Sequence, residues 1–144
     1  MNNKGWIRIV EAFFSLLLIT GVLLIVINKG YIGREDISQE VYDLQISVLR
    51  EIELNDDLRH KILEINESSL PVEDNNSTFP QAVKDKIDER MPNYFICRSK
   101  ICDINAICEL SQYIEEDVYA QPVAITANLE IYSPRKLVLF CWVD

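Results

Sequence analysis

The chain has 144 residues, four cysteines and a formal net charge of −9. Its acidic excess lies beyond Gly30, where 22 acidic and 11 basic residues give a charge of −11. Nucleic acid is therefore not expected as a partner, because binding to phosphates needs a basic surface. The one histidine, His60, lies between Arg59 and Lys61 and is expected on a solvated helix face. The composition predicts a protein that is not an enzyme and that needs neither a cofactor nor a metal.

A long apolar run follows a short basic leader at residues 1–5. The run from Trp6 to Ile27 has no polar face at helical period, and as a helix it would span the roughly 30 Å of a bilayer core. It predicts a single transmembrane helix over residues 6–28, surrounded by membrane lipid. A cleaved secretory signal peptide is the alternative, but no A-x-A-like pair of small residues follows the run. Retention as a membrane anchor is therefore favoured.

Flanking charges and cysteines indicate how this helix is oriented. Lys4 and Arg8 precede its apolar centre, while Lys29 and Arg34 follow it, which gives a slight bias toward a cytoplasmic N-terminus. Four cysteines in a small domain are more easily explained as two disulfides in an oxidising exterior than as free thiols in a cytosol. We therefore predict a single-pass membrane protein whose C-terminal part is extracellular.

Residues 36–92 are predicted to be mainly helical. Apolar residues recur at helical spacing over residues 37–54, and Asp36 and Gln39 fit a capping box at the start of this segment. The apolar positions are Ile37, Val41, Leu44, Val48 and Ile52. This pattern predicts an amphipathic helix that continues the membrane helix.

Two shorter helices are expected after it. Asn55 is a predicted cap for a short helical piece. Thr78 and Gln81 fit a second capping box, with a helix that Pro92 ends. Residues 66–78 between them are polar and acidic and are predicted to form a surface loop. This loop carries three glycosylation sequons, which begin at Asn66, Asn75 and Asn76.

The predicted head, residues 93–144, is rich in strand formers. Residues 123–131 alternate between apolar and polar side chains, and residues 136–143 are apolar on both faces, so the two segments predict a β-hairpin. A strand that is apolar on both faces needs cover on each side, and the helix over residues 37–54 is the obvious cover for one of them. The predicted fold is α+β, with helices packed on a small antiparallel sheet.

The cysteines are expected to form disulfides in this head. Zinc binding is the alternative, but the spacing of Cys97, Cys102 and Cys108, with Cys141 far beyond, does not match the usual paired knuckles. Three connectivities are open to four cysteines. We predict Cys102 with Cys108, which closes a small loop, and Cys97 with Cys141, which joins the first strand to the last if the last strand lies centrally in the sheet.

Two charges lie near the start of the apolar helix. A carboxylate such as Glu11 within an apolar helix is costly and usually has a partner. Arg8 could pair with Glu11 along the same helix at the level of the lipid headgroups, because the two residues are three positions apart. The other interpretation is that a second chain supplies the partner charge.

The run KGWIRIVEAFF, which begins at Lys4, resembles the class III signal sequence of type IV pilins and the related archaeal pilins. The shared features are a basic leader that ends in Lys-Gly and an apolar helix with a glutamate near its start. The resemblance implies that a prepilin peptidase cuts after Gly5, so that Trp6 becomes the mature N-terminus. It also implies that the apolar helices of many copies pack together as the core of a filament, and that Glu11 matches the family's acid, which in bacterial members neutralises the new N-terminal amine of a neighbouring subunit. Arg8 departs from the family's pattern and is a candidate partner for Glu11 in assembly.

Two functions stay open from the sequence. The first is a structural subunit or minor component of a pilus-like surface filament, whose partners are copies of itself or related pilin subunits. The second is a monomeric, membrane-anchored extracellular module that binds or adheres through its head.

Overall fold

The computed structural model describes residues 3–28, 37–126 and 130–143. These residues form helices α1 (Asn3–Asn28), α2 (Ser38–Leu54), α3 (Asp56–Leu63) and α4 (Gln81–Arg90), and strands β1 (Val72–Glu73), β2 (Phe95–Asp103), β3 (Tyr119–Ile125) and β4 (Arg135–Val143). The chain separates into a first unit, residues 1–36, and a second unit, residues 37–144.

The first unit contains α1, which is apolar along most of its length. Within the described residues it is the one helix long and apolar enough to cross a membrane, with a span of 22 residues, Gly5–Val26, and a mean hydropathy of 2.6. None of that span is buried. The helix begins at Asn3, so it includes the end of the predicted leader, whose first two residues lie outside the described residues.

The second unit begins with α2, whose bounds agree with the predicted amphipathic helix. Val41, Val48 and Ile52 are buried as predicted, because they share one face at helical spacing. The predicted cap Asp36 lies outside the described residues, and Gln39 donates to Asp43 one turn further along instead of reaching back. α2 therefore supplies an apolar face to the core, whereas its predicted capping box stays without support.

Gln45 is a polar residue on the apolar face of α2, since it lies four positions after Val41 and three before Val48. Its side chain is fully buried, and its Nε2 donates to the backbone oxygens of Tyr119 and Leu139 at 2.9 and 3.2 Å. The buried amide is tolerated because it finds acceptors on two neighbouring strands. It ties the helix to the sheet beneath it.

The two shorter helices differ in how they start. Asn55 caps α3 as predicted, since its side-chain oxygen accepts hydrogen bonds from the N–H groups of Asp57 and Leu58. The predicted capping box at Thr78 is wrong. The Thr78 hydroxyl donates to the side chain of Asn76, and Pro80 precedes α4 without a side-chain cap.

The predicted surface loop at residues 66–78 is more ordered than its composition indicates. It contains a short 3₁₀ turn at Glu67–Ser69 and the two-residue strand β1, in which Val72 is fully buried. β1 pairs with β2 in the register Val72 with Ile101 and Glu73 with Lys100. Pairing with β2, rather than the local sequence, makes this segment a strand. β1 lies in the loop predicted at residues 66–78, within the region predicted to be mainly helical.

The four strands form one antiparallel sheet in the order β1, β2, β4, β3. β4 lies between β2 and β3, in the central position that the sequence predicts for the last strand. Its predicted cover is found on both faces. Leu137, Leu139 and Cys141 share a buried cluster with the apolar face of α2. The opposite face is covered by the loop of residues 104–118, which packs on the cluster of Val138, Phe140 and Trp142.

The predicted first strand of the hairpin is displaced. It begins at Tyr119 instead of Val123 and ends at Ile125, while Ala127 to Leu129 lie outside the described residues. β3 is an edge strand, which tolerates Pro122 although proline has no N–H to donate. Pairing with β4 extends the strand across a stretch that its own sequence marks as irregular.

Candidate functional site

The residues that the sequence singles out for processing and assembly lie together in the first three turns of α1. Gly5, Trp6, Arg8 and Glu11 are all exposed, with Trp6 70% accessible. A Cβ added at Gly5 would meet no atom within 4 Å. These four residues are therefore accessible within α1 itself.

Arg8 and Glu11 form no ion pair with each other, although they are close enough in sequence to do so. The ion pairs found among the described residues all lie in the second unit. The local pair at headgroup level and the pairing with a second chain both stay predictions. The polar side chains further along α1 are satisfied within the helix, since Ser15 donates to the oxygen of Glu11 and Thr20 to that of Leu16.

The second unit carries a polar cluster on the outer face of the sheet. The Lys100 ammonium, whose side chain is 11% exposed, donates to Glu73, to the backbone oxygen of Glu109 and to Ser111 at 2.9, 2.9 and 3.0 Å. The Ser111 hydroxyl donates to the same Glu73 carboxylate. These bonds hold the loop of residues 104–118 against β1 and β2. Together they form a structural clamp, in which each of the three N–H donors of the Lys100 ammonium makes a hydrogen bond.

The clamp makes the ionised form of Glu73 the favoured one. Hydrogen bonds from Ser111 and Lys100 lower the pKa of the Glu73 carboxyl below its ordinary value of 4.5. A carboxyl with a lowered pKa in the folded state stabilises the fold above its unfolded pKa, and that contribution is lost as the pH falls through the folded pKa.

We expect Glu73→Gln to lower the free energy of unfolding by about 1.5 kcal/mol at pH 7, because a hydrogen bond to a charged group is lost. Below pH 4.5 the difference from the unmodified chain should shrink, since Glu73 is then increasingly protonated in both states. Urea unfolding of the detergent-solubilised chain at neutral pH and at a pH well below the ordinary carboxyl pKa measures this. Glu116→Gln, at an exposed carboxylate of the same loop, is the matched control. An equal loss at both pH values would contradict the role of the Glu73 charge.

The cysteines pair as the sequence predicts. Cys97 and Cys141 are direct partners in the register of β2 and β4, with their Cα atoms 4.2 Å apart. Cys102, at the end of β2, pairs with Cys108 in the covering loop at a Cα distance of 6.0 Å. Both pairs stabilise the head, and no described residue provides a free cysteine for zinc.

The three sequon asparagines lie on the surface of one segment. Asn66, Asn75 and Asn76 are exposed. The Asn66 side chain accepts from the N–H and hydroxyl of Ser68, and Asn76 accepts from those of Thr78. These turns order the segment, and glycosylation at any of the three stays a prediction.

The clamp was missed by sequence reasoning. A lysine between Ser99 and Ile101 in a strand was the available signal, but its carboxylate partner depends on the pairing of β1 with β2. His60 of α3 lies beside Glu64, the residue that follows this helix, with Nε2 to Oε1 at 3.2 Å. Within the described ranges, no three His, Cys, Asp or Glu side chains are grouped as a metal site.

No family model, curated protein or solved structure matches the chain.

Proposed function

We propose that this protein is a structural subunit or minor component of a type IV pilus-like surface filament, held in the membrane by α1 before assembly. The observation that carries the proposal is the apolar span Gly5–Val26, which has 22 residues, a mean hydropathy of 2.6 and no buried residue. Such a surface needs lipid or other helices around it. A filament subunit uses both in turn, because the helix leaves lipid for the core of the assembly.

The arrangement of the second unit supports an extracellular position for it. Both cysteine pairs lie in residues 97–141, and disulfides persist in oxidising compartments. The basic residues before the apolar run favour a cytoplasmic N-terminus. The first unit thus serves as anchor and assembly element, and the second unit as the exposed head of the subunit.

The resemblance to class III signal sequences gives the sharpest test. In cells that contain a prepilin peptidase, we expect cleavage after Gly5, so that the purified chain begins at Trp6. Intact-mass measurement and N-terminal sequencing detect the loss of the leader. A chain that keeps Met1 or Asn2, in cells that process a known pilin, would count against the proposal.

Gly5→Val is the informative variant for this cleavage. A Cβ added at Gly5 would meet no atom within 4 Å, so a loss of cleavage would report on recognition by the peptidase rather than on disruption of this chain. Gly21→Ala is the matched control, because this glycine also has open space around it, and cleavage of this variant after Gly5 should be unchanged.

A membrane-anchored monomeric binding module is the alternative function. A chain that retains its leader and stays monomeric in the membrane would favour that alternative.

A further inference from the structure

The second unit carries two neighbouring grooves, and none of the described residues that line them is charged. The first groove, of about 380 Å³, lies between the start of α2 and the start of β3. The second groove, of about 500 Å³, lies between β3 and the loop of residues 104–118. Val118 and Ala120 line both, so the two grooves meet at the start of β3. Their volumes are in the range of small-molecule sites.

Uncharged grooves are unusual in so acidic a part of the chain. Beyond Gly30 there are 22 acidic and 11 basic residues. Acidic residues also stand next to the lining residues in the chain, since Asp43 follows Tyr42 and Asp117 precedes Val118, and both carboxylates are exposed. These carboxylates would repel an anionic ligand, whereas a cationic ligand would find no carboxylate among the described lining residues. The grooves therefore suit a neutral ligand.

The polar groups of the lining are mainly side-chain amides. Gln39, Gln45 and Gln121 line the first groove, and Gln112 lines the second. Each amide has two N–H donors and a carbonyl acceptor. A ligand that carries hydroxyl groups, which both donate and accept, matches amides of this kind better than one that only donates or only accepts.

Tyrosine rings provide flat apolar surface beside these amides. Tyr42, which is 43% exposed, lines the first groove, and Tyr113, which is 87% exposed, lines the second. The face of an aromatic ring carries partial negative charge, so it attracts the weakly positive C–H groups on one face of a sugar ring. Amides for hydroxyl groups, together with exposed rings for C–H groups, are the chemistry that recognises a neutral sugar.

One polar atom of the first groove has no hydrogen-bond partner among the residues that the structure describes. Gln45 is fully buried, and its Nε2 donates to two backbone oxygens of the sheet. Its Oε1 accepts a hydrogen bond from none of the described residues. Because an unpaired buried acceptor is costly, this atom favours a ligand that donates a hydrogen bond. A sugar hydroxyl does so, whereas a purely apolar ligand does not.

We propose that the two grooves form one binding site for a neutral oligosaccharide, with one sugar unit stacked on Tyr42 and another on Tyr113. Its hydroxyl groups form hydrogen bonds with the glutamine side chains of both grooves. The inference goes beyond filament assembly, and it rests on the proposed function only for the extracellular position of the second unit. It applies equally to a filament subunit and to a membrane-anchored module.

The test measures binding of the full-length chain, reconstituted in phosphatidylcholine vesicles, to a glycan array. Vesicles replace glycoside detergents, whose sugar headgroups would compete for the site. The array carries neutral oligosaccharides of hexoses and N-acetylhexosamines beside sialylated and sulfated forms of the same chains. We expect binding to neutral members of the array and weaker binding to their charged forms, because of the carboxylates next to the grooves.

Two variants locate the bound oligosaccharide. Tyr42→Ala and Tyr113→Ala should each raise the dissociation constant of the best neutral oligosaccharide about tenfold, since each removes one stacking surface. Tyr132→Ala is the matched control, because Tyr132 is 78% exposed and lines neither groove, and it should bind as the unmodified chain does. Titration calorimetry measures the dissociation constants, and circular dichroism verifies that each variant is folded.

The proposal fails if the chain binds no neutral oligosaccharide of the array, and also if it prefers the sialylated or sulfated forms. Equal affinities for all three tyrosine variants would show that the ligand binds elsewhere on the chain. A loss of affinity in only one of the two groove variants would contradict a ligand that spans both grooves. The filament proposal is tested separately by cleavage after Gly5, so either proposal can fail while the other stands.

Discussion

Replacing both Cys97 and Cys141 by alanine is expected to lower the free energy of unfolding of the second unit by about 4 kcal/mol. The disulfide joins residues 44 positions apart, so its loss frees a long loop in the unfolded chain. The corresponding figure for Cys102 and Cys108, which are 6 positions apart, is about 2 kcal/mol. The order of the two effects follows from loop length alone.

Urea unfolding of the detergent-solubilised chain, followed by the fluorescence of buried Trp142, measures both losses. A Trp6→Phe background removes the signal of the exposed tryptophan in α1. Reduction of the unmodified chain gives a second measurement that creates no cavity at the buried Cys141. Equal losses for the two pairs, or a larger loss for Cys102 and Cys108, would show that loop closure does not determine their contributions.

The parts of the fold that could be predicted from the sequence are those with a strong local pattern. α2 repeats its apolar residues over four turns, and the Asn55 side chain fixes the start of α3. β4 is apolar on both faces, which places it centrally and requires cover on each side. The pairing of Cys97 with Cys141 follows from that central position, because it makes β2 and β4 neighbours.

The parts that could not be predicted depend on residues far apart in the chain. β1 has two residues and becomes a strand only because β2 offers an unpaired edge. Gln45 lies on the apolar face of α2, but the backbone oxygens that accept its hydrogen bonds belong to residues 74 and 94 positions away. β3 begins four residues before the apolar alternation does, because its first residue, Tyr119, already pairs with Cys141 of β4.

The candidate site divides in the same way. Gly5 stands out in the sequence because it ends the basic leader, and Arg8 and Glu11 stand out because they are charged residues in the apolar run. The helix places the three near one another without any tertiary contact. The Lys100 clamp gives no such signal, because its three acceptors come from β1 and from the loop of residues 104–118. A site confined to one helix is visible in a sequence, whereas a site assembled across strands is not.

Ile52→Ala is expected to lower the free energy of unfolding by about 3.5 kcal/mol, the middle of the range for large-to-small changes at buried aliphatic residues. Ile52 is fully buried on α2 and belongs to the same cluster as Ile101 and Leu139 of the sheet. The loss combines the burial of the removed methylene and methyl groups with the cavity that they leave. If α2 is the layer that covers this face of the sheet, Ile52 should be among the most sensitive positions of the chain.

Leu54→Ala is the matched control on the same helix, since Leu54 is 78% exposed and its truncation should change the free energy of unfolding by less than about 0.5 kcal/mol. Both variants keep a helix-forming residue, so a difference between them reports on packing rather than on helix formation. Urea unfolding with the Trp142 signal measures the two changes under one set of conditions. Similar small losses at both positions would mean that α2 is not held against the sheet in solution. A large loss at Leu54 would instead indicate that this exposed leucine is covered, and in a filament subunit the covering surface would belong to a neighbouring copy.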